Sequence, residues 1–481
     1  MIVALLALPL AAAGLLARAR GRLAIVLHGA AVVGTMLMGL VVAVAAVRGT
    51  EATAFGGVLR VDALSGWMIL VIVVVATLAG AEAPRYAAVG RPFYALLHLM
   101  VFTMLLAVST DDVGLMWVAV EGTTLASVFL VNFERTRASL EAAYKYLLIC
   151  SVGIAVAFCG TVLVYYAEVV RQQTMAEHSA QALRWTALIA LAPSLPPRVL
   201  EVAFVFLVVG YGTKAGLAPM HTWLPDAHSE APAPVSALMS GVLLSIGVYA
   251  IARFKPIVDA GAGPGFAGRI LLGLGLLSLA VAAAFLWAPA NYKRMLAYSS
   301  VEHMGLVALG LGFGGLLGVS GALLHVANHG LAKSALFLLA GRIRAAYGSA
   351  ELTAVRNLVT VLPFSGRAFL LALFALLGLP PFGLFVSEVM IFSAGFRQGY
   401  AWLAGVAFGL LIIAFGGLLR SAHRMLLGVA PALAPALAPT SASWPGLMPI
   451  AVALAVLVVT GLAWPPGLGD ALALAAKVVN R

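Results

Sequence analysis

Residues 204–252 read FVFLVVGYGTKAGLAPMHTWLPDAHSEAPAPVSALMSGVLLSIGVYAIA. An apolar run carries one lysine, Lys214, then meets Gly216, Pro219 and Pro225 before a second apolar run opens near Val235. Proline inside a helix removes a backbone hydrogen bond and crowds the preceding turn. At bilayer depth such a break survives only where protein or a water-filled cavity satisfies the freed backbone groups. A charge at that depth is costly and by default marks an ion or proton path. The alternative is a lysine near a helix end that snorkels to the headgroups.

The surrounding chain fits a membrane setting. Its 481 residues are 63% hydrophobic and 10% charged, with a mean hydropathy of +1.06. No soluble domain buries that much apolar surface, so the class is an all-α polytopic membrane protein. The formal net charge of +11 is spread over short loops. It reads as topology signal and contact with the lipid bilayer, not as nucleic-acid binding. Cys150 and Cys159 lie in one apolar run and face opposite sides of a helix at about 100° per residue, so neither a bridge nor a metal site is expected. Met1–Leu16 has its arginines after the apolar run rather than before it, as a first spanning helix does and a cleavable signal does not.

Apolar runs of spanning length fall near 1–17, 23–47, 62–81, 92–109, 113–132, 143–166, 199–218, 232–252, 268–288, 297–316, 319–341, 366–396, 401–419 and 446–464, about 14 in number. The 366–396 run is too long for one straight helix and holds Gly378, Pro380, Pro381 and Gly383, a second break. Arg18, Arg20, Arg22, Arg85, Arg91, Arg135, Arg137, Lys293, Arg294, Arg342, Arg344, Arg356, Arg367, Arg420 and Arg424 follow odd-numbered runs. The positive-inside rule then puts those loops in the cytoplasm and both termini outside. The broken runs, seventh and twelfth, are separated by an odd number. Two five-helix units, 92–252 and 268–424, would therefore be inverted relative to each other, a transporter signature. Residues 1–91 would form three preceding helices and 446–481 a C-terminal helix and tail. Segments 167–198 and 421–445 read as a polar loop and an Ala/Pro linker.

Several polar groups stand where lipid forbids them. Glu121, in LMWVAVEGTTLASVFLV, sits mid-run, and a buried carboxylate stays ionised only beside a cation; its partner is expected to be Lys214. His325, His329 and Lys333 recur at i, i+4 and i+8 on one helical stripe, with Asn328 adjacent. Histidine exchanges protons near neutral pH, so the stripe reads as a proton ladder. A zinc site is the rival, but no third ligand lies at suitable spacing. Glu388 follows the second break as Lys214 attends the first. Glu302 and His303, in AYSSVEHMG, stand near a run's start and read as a pair, a gate or interfacial groups. Lys145 reads as a loop charge within reach of Glu121 or Glu141, and Asp226, His228 and Glu230 as solvated. No Walker loop, dinucleotide fingerprint or CxxC set is present, so no cofactor is expected in this chain.

The runs KAGLAPMHTWLPDAHSEAPAPVSALMSG, MLAYSSVEHMG, HVANHGLAKSALFLLAG and GLPPFGLFVSE resemble the antiporter-like membrane subunits of complex I, of Mrp cation/proton antiporters and of group 4 membrane-bound hydrogenases. WVAVEGTTLASVFLV and YSSVEHMG are most similar to the component F branch of hydrogenase 4. The resemblance covers about residues 62–424. It implies 14 helices with inverted repeats, and a proton path through Glu121, Lys214, His325, His329, Lys333 and Glu388. It also implies other membrane subunits as partners, with a peripheral hydrogenase or dehydrogenase arm beyond them, in a bacterial cytoplasmic membrane. One position departs: where relatives carry lysine or histidine in the eighth helix, this chain has Ser240 and Ser245, which hold water but carry no charge. The long lateral helix of some relatives is not expected. Three functions remain open: a proton-translocating subunit of a redox complex, a subunit of a cation/proton antiporter or ion-coupled uptake system, and a non-conducting membrane scaffold.

Overall fold

The computed structural model describes residues 1–89, 92–172, 182–427 and 447–481. The first helices are α1 (Ile2–Leu16), α2 (Gly21–Val47), α3 (Ala63–Glu82), α4 (Pro92–Val108), α5 (Val113–Val131) and α6 (Arg137–Gln172). There follow α7 (Trp185–Leu191), α8 (Pro197–Ala215), α9 (Leu224–Glu230), α10 (Ala233–Leu238), α11 (Leu244–Ala262) and α12 (Phe266–Phe285). The last are α13 (Tyr292–Phe313), α14 (Gly315–Tyr347), α15 (Leu358–Val361), α16 (Pro363–Leu376), α17 (Gly383–Arg397), α18 (Ala401–Leu427), α19 (Met448–Leu462) and α20 (Leu468–Val479). Among the described residues, 9 helical spans are long and apolar enough to cross a bilayer. The chain is a mostly helical, polytopic membrane protein.

Burial separates inner helices from outer ones. The most apolar window of the α10–α11 span is wholly buried and that of α14 is 89% buried, against 28% for α2 and 33% for α18. The outer helices present large apolar side chains outward, among them Leu37, Phe408 and Ile412. Such a surface is stable only against lipid or another apolar partner. The polar side chains of interest face the interior, Tyr146 doing so from the largely exposed α6.

Close helix approach sets the first of them. On α8, a side chain at Gly210 would collide with the backbone of α6 at Gly153. Small residues let helix backbones come together in a membrane, and this contact brings Tyr146 of α6 against Lys214 of α8. The helix then stops where the sequence broke it. Gly216 takes φ 73°, a left-handed cap, and the Leu217 amide bonds back to the Gly212 carbonyl at 2.9 Å. The freed groups find partners: Trp223 Nε1 donates to the Thr213 carbonyl at 2.8 Å, and the Ala218 amide donates to Ser278 Oγ on α12 at 2.9 Å. The second break, between α16 and α17, also has a left-handed glycine, Gly378.

Between α10 and α11 one turn, Met239–Leu243, is π-helical. Beyond it, Arg253 donates to both carboxylate oxygens of Asp62, at 2.7 Å each, and to Ser65 Oγ at 2.8 Å and Tyr249 OH at 2.9 Å. Asp62 in turn caps α3 through the Ser65 amide. The guanidinium lies 4.9 Å from the Trp185 ring.

Five expectations are corrected. The fold is not purely helical: Ala52–Ala54 and Leu59–Val61 pair as a short antiparallel hairpin before α3. Segment 167–198 is not one loop, because α6 continues to Gln172 and Trp185 anchors α7 by donating to the Arg253 carbonyl at 2.6 Å. The proposed linker 421–445 begins as helix, α18 reaching Leu427. Its remainder, like Arg91, lies outside the described residues. Some charges read as loop signal are buried: Lys293 donates to the Ser229 and Ala231 carbonyls, and Arg342 pairs with Glu82. Finally, the C-terminal tail includes an amphipathic helix, α20, that lays Leu472, Ala475, Ala476 and Val479 inward against α3 and α14.

Candidate functional site

Lys214 lies in the last turn of α8, with no exposed surface. Its ammonium donates to Thr124 Oγ1 of α5 at 2.9 Å and to Tyr146 OH of α6 at 3.0 Å. It also stands 5.2 Å from the Tyr146 ring centroid, a favourable position for a cation. Glu121 is not its direct partner, contrary to expectation. Glu121 accepts from Ser151 Oγ at 2.6 Å and from Thr124 Oγ1 at 3.2 Å, so the Thr124 hydroxyl stands between carboxylate and ammonium. Thr124 lies one turn after Glu121 on α5, on the same face. Tyr146 OH continues the network to Ser127 Oγ at 2.7 Å. The spacing E-x-x-T in the sequence carried this signal; Tyr146 and Ser151 gave none.

His325, His329 and Lys333 all lie fully buried on α14, but they do not bond to one another in series. His303 of α13 interposes. Its Nδ1 lies 2.9 Å from His325 Nε2, and its ring centroid is 5.1 Å from that of His329. His303 and Glu302 are thus buried in mid-helix, not near a helix start. His325 Nδ1 meets Ser387 Oγ of α17 at 2.9 Å, and that hydroxyl also donates to the Leu384 carbonyl at 2.8 Å. His329 has both ring nitrogens buried without a partner. Lys333 donates to the Leu296 carbonyl and to Ser299 Oγ at 2.5 Å each, with Glu302 as a charge neighbour.

Glu388 of α17 joins this group. One carboxylate oxygen and one ring nitrogen each of His303 and His325 all lie within 4.8 Å of one another. The carboxylate rests against Gly378, where any side chain would collide with it. Lys214 and Glu388 therefore stand on opposite sides of their breaks, the lysine before and the glutamate after.

The serines connect on one side only. Ser240, in the π turn, meets Ser300 Oγ at 2.8 Å. Ser300 donates to the Leu296 carbonyl at 3.2 Å, the same oxygen that receives Lys333. Ser245 Oγ is buried without a partner. Among the described residues, no direct side-chain hydrogen bond links the Lys214 network to Ser240 or Lys333.

Two expectations about flanking charges change. Lys145 sits on α6, not in a loop, and pairs with Glu141 at 2.7 Å and Asp226 at 3.2 Å, not with Glu121. His228 is not solvated: it is fully buried, stacked 5.1 Å from Phe337, with both nitrogens unpartnered. Its sequence setting, between Asp226 and Glu230, disguised it. A second imidazole pair, His28 Nδ1 to His98 Nε2 at 3.0 Å, joins α2 to α4.

Residues 110–414 match the family described as NADH:quinone oxidoreductase/Mrp antiporter, transmembrane. The Hydrogenase-4 component F homolog of Methylacidiphilum infernorum (isolate V4) is 39% identical over 329 residues, 68% of this chain and 68% of that protein. NADH-quinone oxidoreductase subunit N of Desulforudis audaxviator (strain MP104C) is 32% identical over 358 residues, 72% of this chain and 68% of that protein. A chain of the Mrp complex from Dietzia sp. DQ12-45-1b superimposes with a TM-score of 0.86, covering 100% of this chain and 97% of that one. At 20% identity that likeness speaks to the fold alone. With its fold, its buried lysine and histidine groups and nearly two-thirds of its length matched, this chain belongs to the NADH:quinone oxidoreductase/Mrp antiporter transmembrane family.

Proposed function

We propose that this chain is a proton-translocating membrane subunit of a redox-driven complex, of the hydrogenase 4 or complex I kind. The carrying observation is Lys214: a fully buried ammonium at a helix break, solvated by two hydroxyls and separated from its carboxylate by one of them. A directly paired lysine is held in place, whereas this one can exchange a proton when the Glu121–Thr124 contact shifts. The proton would pass by ordered water to the Ser240–Ser300 pair, then through Lys333, His329, His303 and His325. Glu388 would release it. His303 enters this path as a carrier because it bonds His325 directly.

The helices would number 14. Residues 92–252 and 268–424 would form inverted units after three helices in 1–91, with 446–481 as a terminal helix and tail. Both termini would lie outside a bacterial cytoplasmic membrane. The partners would be other membrane subunits and, through them, a peripheral hydrogenase or dehydrogenase arm holding the redox centres, with no cofactor in this chain. The named function of the relative that is 39% identical supports the redox reading over an antiporter without a redox partner. Copurification with iron–sulfur subunits tests that choice.

The test of the site is Lys214→Ala in membranes containing the assembled complex. Protons moved per electron should fall by the share that this subunit contributes. An unchanged ratio would sink the role of Lys214 and leave the scaffold reading.

A further inference from the structure

The sequence argued against a metal because the histidine stripe on α14 offers no third ligand nearby. The fold supplies one from elsewhere. His303 Nδ1 and His325 Nε2 face each other at 2.9 Å, and one nitrogen of each ring and an oxygen of Glu388 all lie within 4.8 Å of one another. Two imidazoles and a carboxylate are a known ligand set for zinc. With metal–ligand bonds of about 2.0–2.2 Å, ligand atoms around a tetrahedral ion sit about 3.3 Å apart. The imidazoles are close to that spacing, and a rotation of Glu388 closes the remainder.

The outer contacts agree. A histidine that ligates through one nitrogen normally gives its other N–H to a carbonyl, carboxylate or other acceptor, which fixes the ring. Here His325 Nδ1 meets Ser387 Oγ, whose own proton goes to the Leu384 carbonyl. The Leu376 carbonyl, at the broken end of α16, lies near the His303 ring. Gly378 leaves room for the carboxylate. His329, with both nitrogens unpartnered and its ring 5.1 Å from His303, or a water is available for a fourth position.

We propose that His303, His325 and Glu388 form a binding site for a divalent transition metal of the zinc class. Imidazole and carboxylate ligands suit zinc, copper and nickel, whereas magnesium prefers an oxygen cage. On binding, His325 keeps its proton on Nδ1, toward Ser387, and the proton shared by the two imidazoles ends on His303 Nε2. Both rings stay neutral, and a proton held by Glu388 leaves to solvent. If the proton path through these groups holds, the ion replaces the shared proton and closes that path.

The test is Zn2+ alone, titrated into the purified, chelator-stripped full chain, with metal analysis and zinc X-ray absorption. One tightly held ion per chain, ligated by two imidazoles and carboxylate oxygen, is expected, unaffected by excess Mg2+. Glu388→Gln should weaken retention at least tenfold, and His423→Ala, on the exposed face of α18, should not change it. No zinc retained by the folded wild-type chain would overturn the site. So would coordination without imidazole, or equal retention by the wild type, Glu388→Gln and His325→Gln. The same titration on proton translocation by the assembled complex separates the two ideas. Zinc bound at this site with translocation unaffected supports the site and defeats the path through it. Failure of zinc to bind leaves the Lys214→Ala result to decide the path.

Discussion

Two buried cations in this chain, Arg253 and Lys214, meet carboxylates in opposite ways. Arg253 and Asp62 close a direct, two-pronged ion pair at 2.7 Å, sealed by Ser65, Tyr249 and the Trp185 ring. Four of its N–H groups are answered by fixed acceptors, and the pair ties α3 to α11. Lys214 never touches Glu121: it holds two neutral hydroxyls, one of which bonds the carboxylate. The planar guanidinium stays charged and suits bidentate locking, while an ammonium on a flexible stem can give up its proton. The contrast separates a charge that builds the fold from one that can change state.

Breaking the first pair should give the largest effect on stability. Arg253→Met leaves Asp62 buried without its cation and should cost about 3–5 kcal/mol, read as a lowered thermal midpoint of the purified chain. Any loss of proton flux should follow the loss of folded protein and not exceed it. Thr124→Val probes the second arrangement, because it removes the hydroxyl between ammonium and carboxylate. It should cost about 1–3 kcal/mol and lower flux disproportionately in the folded fraction. A direct Lys214–Glu121 contact formed in that variant, with flux intact, would erase the contrast between the two cations. Ser240→Ala removes one neutral hydroxyl contact, worth about 1 kcal/mol, and should reduce flux less than Thr124→Val does. A loss as large as that of Lys214→Ala would move the critical link onto Ser240. Lys145→Ala lies at the small end. Its exposed pairs with Glu141 and Asp226 should leave both melting and flux within error, as surface pairs usually do.

Hydrophobicity announced the membrane helices, and Gly216 and Gly378 announced where two of them stop. The ionisable residues at bilayer depth were equally plain, since lipid makes each of them conspicuous. What stayed hidden was who meets whom. Thr124 standing between Glu121 and Lys214, His303 crossing from α13 into the α14 stripe, and Glu388 closing on both imidazoles are contacts between helices distant in the chain. Periodicity within one run cannot report them. His228 was hidden for another reason: acidic neighbours and prolines made its segment look solvated, while the fold turns its ring against Phe337. Lys293 and Arg342 show the reverse error, basic residues counted toward topology that are committed to internal partners.

The π turn at Met239–Leu243 acts as a phase shifter between two tasks. A π turn carries one residue more than an α turn, so it offsets every later side chain by about 100° around the axis. Ser240 stands within that turn, toward Ser300, and Arg253 stands beyond it, toward Asp62. A strictly α-helical register could not keep both alignments at this spacing. Losing a single residue from 239–243 would leave the hydrophobicity of the span untouched, yet it would swing Arg253 off its carboxylate. The helix is thus tuned in angle as well as in length, a constraint that no count of apolar residues would reveal.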